Sequence, residues 1–249
     1  MAQVLVTLKD DEQLKAFVAF VEQLRFVEKV EERVNGYKEE IPPFKDDYTT
    51  ADIEAIARQF PANKKWTYTE LARVFPDDLK VKVEILNNEL FIMPSPSLLH
   101  QRVSNRLSLL LTNFTDKYGL GEVLVAPMDV KFNEDNVQQP DLLFVSIKRT
   151  SIMKAQYVEG APDLVVEIMS PSNDLKERTK KHELYESEGV LEYWTIFPKQ
   201  RHVKVEVLQD GCYETFSETT TSGNVRSSVL KGFELELKDI MPDRFFVEG

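Results

Sequence analysis

Cysteine is almost missing from this 249-residue chain: Cys212 stands alone. An internal disulfide is therefore impossible, and a thiolate zinc cluster is excluded with it. Histidine is nearly as scarce. His100, His182 and His202 are scattered, and none stands in a HExxH-type pair. No stretch approaches the roughly 18–20 consecutive apolar residues of a membrane span, so no membrane partner is expected. The opening residues, MAQVLVTLKDDEQ, lack a basic segment followed by an apolar one, and no secretory signal is read there. Together these absences suggest a cytoplasmic protein. Basic charge is also short: 31 Lys and Arg face 42 Asp and Glu, for a net charge of −11. Broad coating of nucleic acid needs a cationic surface and is excluded, but a local contact with phosphates is not.

Apolar residues make up 42% of the chain, enough for one sizeable core with a small appendage. Residues 1–60 read as a helical extension and 61–249 as the main domain. Within the extension, Leu14, Phe17, Val18, Val21 and Leu24 form one stripe of a helix expected over 10–34. The plain reading of that stripe is packing on the main domain. The a/d-like spacing of 14, 17, 21 and 24 offers a homodimer contact instead, though Glu28 and Glu31 interrupt the seam. Further helices are expected over 51–60, 67–75, from about His100 to a stop at Gly119, and over 174–188. Strands are expected over 80–86 and 89–93 around Asn87-Asn88, and over 122–132 and 141–145 around the polar turn 133–136. Others follow at 163–169, 192–197, 203–208 and 212–217, the last two joined at Asp210-Gly211. An edge strand is expected over 233–237. This order predicts an α/β protein, a mixed sheet flanked by helices.

Two acids interrupt apolar strands. Asp141 opens the run Leu142-Leu143-Phe144-Val145, and Glu167 sits inside Leu164-Val165-Val166-Glu167-Ile168-Met169. A charge in such a run is costly unless it is paired or bound to metal. On neighbouring strands the two carboxylates could share one divalent cation, and hard oxygen ligands suit Mg2+ or Mn2+. The competing reading makes each acid a strand end or an ordinary ion pair. Lys181 and Tyr185 share a face of the following helix, from which a lysine could orient a water or stabilise a phosphate. A solvated surface charge is the alternative. His100 opens the long helix after the Pro-Ser loop, placed to meet a phosphate or a metal-bound water, or to serve as a cap or core residue. Glu84, in Val83-Glu84-Ile85, either joins the acids or faces solvent.

Taken in order, these segments resemble the Uma-two family of the PD-(D/E)XK nuclease superfamily. The resemblance starts at Thr67-Tyr68-Thr69-Glu70-Leu71 and Lys82-Val83-Glu84-Ile85-Leu86-Asn87-Asn88-Glu89-Leu90, and continues through Met93-Pro94-Ser95-Pro96 with His100-Gln101. Pro140-Asp141-Leu142 resembles the PD motif. Ala161-Pro162-Asp163-Leu164-Val165-Val166-Glu167-Ile168-Met169-Ser170-Pro171-Ser172 is the most specific signature, and Lys181, Tyr185, Gly189-Val190 and Glu192-Tyr193-Trp194 complete it. The likeness spans about residues 66–240.

It implies a restriction-endonuclease-like fold and a metal-dependent endonuclease that hydrolyses phosphodiester bonds, with DNA as the expected partner. Metal ligation is implied for Asp141, Glu167 and the backbone carbonyl of Ile168. Glu84 and His100 are further catalytic candidates. The superfamily lysine would fall at position 169, where this chain has Met169, so the basic role is implied for Lys181, with Lys180 its rival. Replacing Lys181 by Met is expected to abolish cleavage while leaving the fold largely intact. A different class of reading is a decayed nuclease fold serving as a binding or oligomerisation module. The net charge favours it and the acid-acid-lysine order opposes it.

Overall fold

The computed structural model describes residues 32–34, 37–39, 49–58, 60–61, 63–74, 82–93, 96–170 and 175–245. The chain divides into two compact units, residues 1–44 and 45–249. In the first, β1 (Glu32–Val34) and β2 (Tyr37–Glu39) pair antiparallel. The helix expected over 10–34 is thus corrected at its end. The Asn35-Gly36 pair between the two strands is a strong hairpin signal and outweighs the helical periodicity there. Residues 10–31, with the apolar stripe of Leu14 to Leu24, lie outside the described residues.

The second unit opens with α1 (Thr50–Ala57), whose N-cap Thr49 and Asp52 form a reciprocal capping box. The same device starts α2 (Tyr68–Val74): the Glu70 N–H donates to Thr67 Oγ1, and the Thr67 N–H donates to the Glu70 carboxylate. Next come β3 (Lys82–Leu86) and β4 (Glu89–Met93). The turn between them holds Asn87 and Asn88 at φ 52° and 63°, the left-handed pair a two-residue hairpin requires. Helix α3 (Leu98–Tyr118) starts at Ser97, whose side chain caps the His100 N–H, and ends at Gly119 with φ 62°.

The strand expected over 122–132 is two strands. β5 (Gly121–Val125) and β6 (Asp129–Asn133) are separated at Pro127, which has no N–H to give to a ladder. Then follow β7 (Asn136–Gln138), β8 (Leu142–Ser146), β9 (Tyr157–Glu159) and β10 (Leu164–Ile168). Helix α4 (Leu175–Glu188) leads to β11 (Glu192–Phe197) and to the hairpin of β12 (His202–Gln209) and β13 (Cys212–Thr220). The chain closes with β14 (Asn224–Arg226), β15 (Glu234–Glu236) and the short α5 (Leu237–Ile240). The edge strand expected over 233–237 pairs only with β14.

The fold is mixed α/β, with two principal sheets in place of the expected one. The larger has the order β13-β12-β11-β10-β8-β5, and the smaller β4-β3-β7-β6-β9. One face of the larger sheet, with Leu142, Phe144, Leu164 and Val166, packs under Val103, Leu107 and Leu111 of α3. The other face, with Leu143, Val145 and Val165, meets Tyr185 of α4 and Val130 and Val158 of the smaller sheet. Strand β10 is therefore buried on both faces, which explains its continuous apolar run. The smaller sheet turns Val83, Ile85 and Val137 toward Ile53 and Ile56 of α1 and Leu71 of α2. Ile53 and Ile56, within the stretch 1–60 expected as an extension, pack in this cluster of the second unit. Among the described residues no helix is long and apolar enough to cross a membrane.

Candidate active site

Strand pairing brings the two acids together. β8 and β10 run antiparallel, with Leu142 opposite Val166 and Leu143 opposite Val165. Carrying that register one residue further sets Asp141 opposite Glu167, and directly opposed side chains share a face. It is the face of Leu143 and Val165. β10 and β11 are parallel, so the chain must cross over between them, and α4 is that crossover. Lys181, Leu184 and Tyr185, spaced three and four apart, form its buried side. The smaller sheet supplies Glu84 by alternation. Val83 and Ile85 point to α1 and α2, so Lys82 and Glu84 point the other way, toward the acids. Gln139-Pro140 carries the chain from β7 of the smaller sheet to Asp141 beside β8 of the larger, joining the two sheets at this point.

The contacts are close. The Ile168 N–H donates to Asp141 Oδ2 at 2.7 Å, and His100 Nε2 lies 3.1 Å from the same oxygen. The Tyr185 hydroxyl donates to Glu167 Oε1 at 2.7 Å. Lys181 Nζ stands 2.6 Å from Glu84 Oε2 and 3.5 Å from Glu167 Oε1. Lys82 Nζ lies 3.3 Å from Glu84 Oε1 and 3.7 Å from Asp141 Oδ1. The Gln139 N–H donates to Glu84 Oε1 at 3.0 Å.

Burial works to raise the pKa of every acid here, and the neighbours decide which acid stays ionised. At Asp141 burial is outweighed by the Lys82 ammonium, the His100 bond and the Ile168 N–H, which hold the carboxyl at about 2. At Glu84 burial is outweighed by Lys181 and Lys82, so its pKa falls. At Glu167 burial prevails over Lys181 and Lys82, helped by the charges of Asp141 and Glu84, and its pKa rises. Lys181 is driven the other way: burial disfavours its charge, but Glu167 and Glu84 raise its pKa, so it stays an ammonium. Burial, and then the Glu167 charge, keep Tyr185 protonated as a hydrogen-bond donor.

The residues singled out from sequence thus meet at one place: Asp141, Glu167, Lys181, Glu84 and His100. Lys180 does not join them; it pairs with Glu89 at 2.7 Å, on the exposed side of α4. Ile168 contributes its N–H to Asp141. Sequence reasoning missed Lys82 and the Gln139 N–H; it placed Tyr185 on the face of Lys181 but gave its hydroxyl no partner. A lysine two residues before a glutamate in an alternating strand was the available signal, because the two must share a face.

The donors fit a hard divalent cation in kind. Three buried carboxylates, Glu84, Asp141 and Glu167, face two ammonium groups, Lys82 and Lys181. The anionic excess falls on Glu167, the acid with the raised proton affinity, and a cation would relieve it. Among the described residues no cluster of three or more His, Cys, Asp or Glu is arranged to hold a metal ion. Magnesium commonly takes only one or two carboxylates and completes its shell with water and substrate phosphate, so a pair suffices.

The sequence model of the Uma2 family, described as "Putative restriction endonuclease", matches residues 67–238. No curated protein matches the chain. Among solved structures, a "putative nuclease belonging to DUF820" from Anabaena variabilis is similar, with a TM-score of 0.54 at 19% identity over 66% of this chain and 91% of that one. At this identity the likeness concerns the fold.

Proposed function

We propose, from the premise that the chain belongs to the Uma2 family, that this site hydrolyses phosphodiester bonds of nucleic acid, DNA first, with Mg2+ or Mn2+ bound. One observation carries the reading. Two carboxylates, Asp141 and Glu167, stand opposite each other on neighbouring strand segments and share a face, and a buried ammonium, Lys181, reaches Glu167. Asp141 and Glu167 would hold the cation, together with the Ile168 carbonyl that the family resemblance implies. When bound, the cation would lower the pKa of a coordinated water and offset charge on the phosphate.

The chain's own residues prepare that place. The Ile168 N–H and His100 fix the Asp141 carboxylate and leave Oδ1 turned toward Lys82. The Tyr185 hydroxyl and Lys181 fix Glu167. Glu84 anchors both lysines, so their positive charge stays in the site. The test is cleavage of plasmid DNA by the full chain with magnesium or manganese. Asp141→Asn and Glu167→Gln are each expected to reduce cleavage by at least about a hundredfold, as loss of a main electrostatic contributor does. Undiminished cleavage by either variant would refute the assignment.

A second reading has one observation in its favour. Glu84 and Asp141 already have ammonium partners, so much of the site is neutralised without metal. A decayed nuclease fold kept as a binding module would look like this. It predicts no manganese binding and no cleavage.

A further inference from the structure

We infer that Lys82 is the ammonium that touches the scissile phosphate, and that Lys181 serves as a positioning residue for Glu84 and Glu167. The inference rests on the nuclease reading and divides labour between two lysines that the sequence motifs do not separate.

The two ammonium groups differ in access. The Lys181 side chain is 5% exposed and its main partner, Glu84, only 1%. To reach a phosphate, Lys181 would have to leave a carboxylate at 2.6 Å and strand it in the interior. Lys82 is partly buried but 23% exposed, which makes it the more accessible of the two. Its carboxylates lie at 3.3 and 3.7 Å, longer than the about 2.7–2.9 Å of a direct charge-assisted hydrogen bond. Its three N–H donors are therefore attracted to the acids without being used up by them.

Placement agrees with access. Lys82 lies on a strand, opposite Met93 of the neighbouring β4, so its backbone is held in register. Of the two lysines it is the one beside Asp141, a proposed ligand of the cation. A donor held on rigid structure beside the acids can strengthen its hydrogen bond as charge builds on the phosphate oxygens while water adds to phosphorus and the bond to the leaving oxygen breaks. Lys181, behind it, holds Glu84 and Glu167 in place.

The test uses the full chain, with reductive methylation mapped by mass spectrometry, free and with a duplex oligonucleotide, alongside cleavage kinetics. Lys82 is expected to be methylated in the free protein and protected by the duplex, with Lys181 unreactive in both. Lys82→Gln is expected to remain folded, unfolding cooperatively at a lower temperature than wild type because Glu84 and Asp141 lose a cationic partner, to keep KM within a few-fold, and to lose about 10²–10³-fold in kcat. Lys82→Arg is expected to recover part of that loss. A Lys82→Gln protein with wild-type kcat overturns the inference and leaves the nuclease reading standing. So does a Lys82 no more reactive than Lys181, or one whose reactivity the duplex does not change. If wild type cleaves nothing while the duplex still protects Lys82, the nuclease reading fails and the phosphate contact holds. If there is neither cleavage nor protection, both fall.

Discussion

Lys181 carries more of the fold than its place on a charged helix suggests. Its ammonium is the close partner of a glutamate with almost no exposure to water. Removing one member of a buried pair typically costs about 3–5 kcal/mol, because the other charge stays behind. The structure therefore revises the expectation that Lys181→Met keeps the fold intact. Thermal unfolding should instead fall by roughly 10 °C, using about 2–4 °C per kcal/mol for a domain of this size. Lys180→Met breaks the pair with the exposed Glu89 and a contact over the Phe91 ring at 5.9 Å, and should change stability by about 1 kcal/mol at most. Equal losses from the two variants would contradict the pairing. His182 is a second test at this scale. Its hydrogen bond to Glu206 raises its pKa against the effect of burial, with the Glu206 charge adding to the rise. A pKa raised in the folded state gives stability that is full below the unfolded value of about 6.5 and is lost as pH climbs through the raised value. His182→Gln should flatten the stability profile across that window, and an unchanged profile would exclude the contribution. The acids were legible in sequence because a charge inside an apolar run stands out. Lys82 was not, because a lysine in an alternating strand reads as solvent-facing until its partner sheet is known.

At the scale of elements, the position of Asp141 depends on β8 being held from both sides. β5 supplies one side, with Gly121 opposite Ser146. Gly121 has φ 149°, and a Cβ there would lie 2.1 Å from the Val145 carbonyl oxygen. No side chain fits without displacing the strand. Gly121→Ala should lower stability by at least the about 1–3 kcal/mol of a strained backbone position, read by denaturant unfolding. Wild-type stability in this variant would show that β5 can shift freely. The helices and hairpins were largely readable because their caps and turns are local: Ser97 and Gly119 bound α3, and Asn87-Asn88 and Asp210-Gly211 close hairpins. The division into two sheets was hidden because β7 and β9 are short and the pairings that extend the smaller sheet, β3 with β7 and β6 with β9, join strands distant in sequence. Only that pairing shows that Glu84 comes to the acids from a different sheet.

For the whole molecule, the separation into units 1–44 and 45–249 predicts that the larger one folds without the smaller. A chain beginning at residue 45 should unfold cooperatively. We propose that the apolar stripe of residues 14–24 supports a homodimer, so the same truncation should sediment as a monomer where the full chain does not. Loss of cooperative unfolding would place residues 1–44 in the core. A net charge of −11 disfavours any broad nucleic-acid surface, so DNA contact should be confined to the site and its immediate surroundings. Whether Asp141 and Glu167 jointly hold a cation is tested most directly by calorimetric titration of manganese into the full chain. Wild type and Lys180→Met should bind at a single site, while Asp141→Asn and Glu167→Gln, shown folded by thermal unfolding, should not. Wild type that takes up no manganese, or an Asp141→Asn protein that binds it as tightly as wild type, would contradict a shared cation between these two carboxylates.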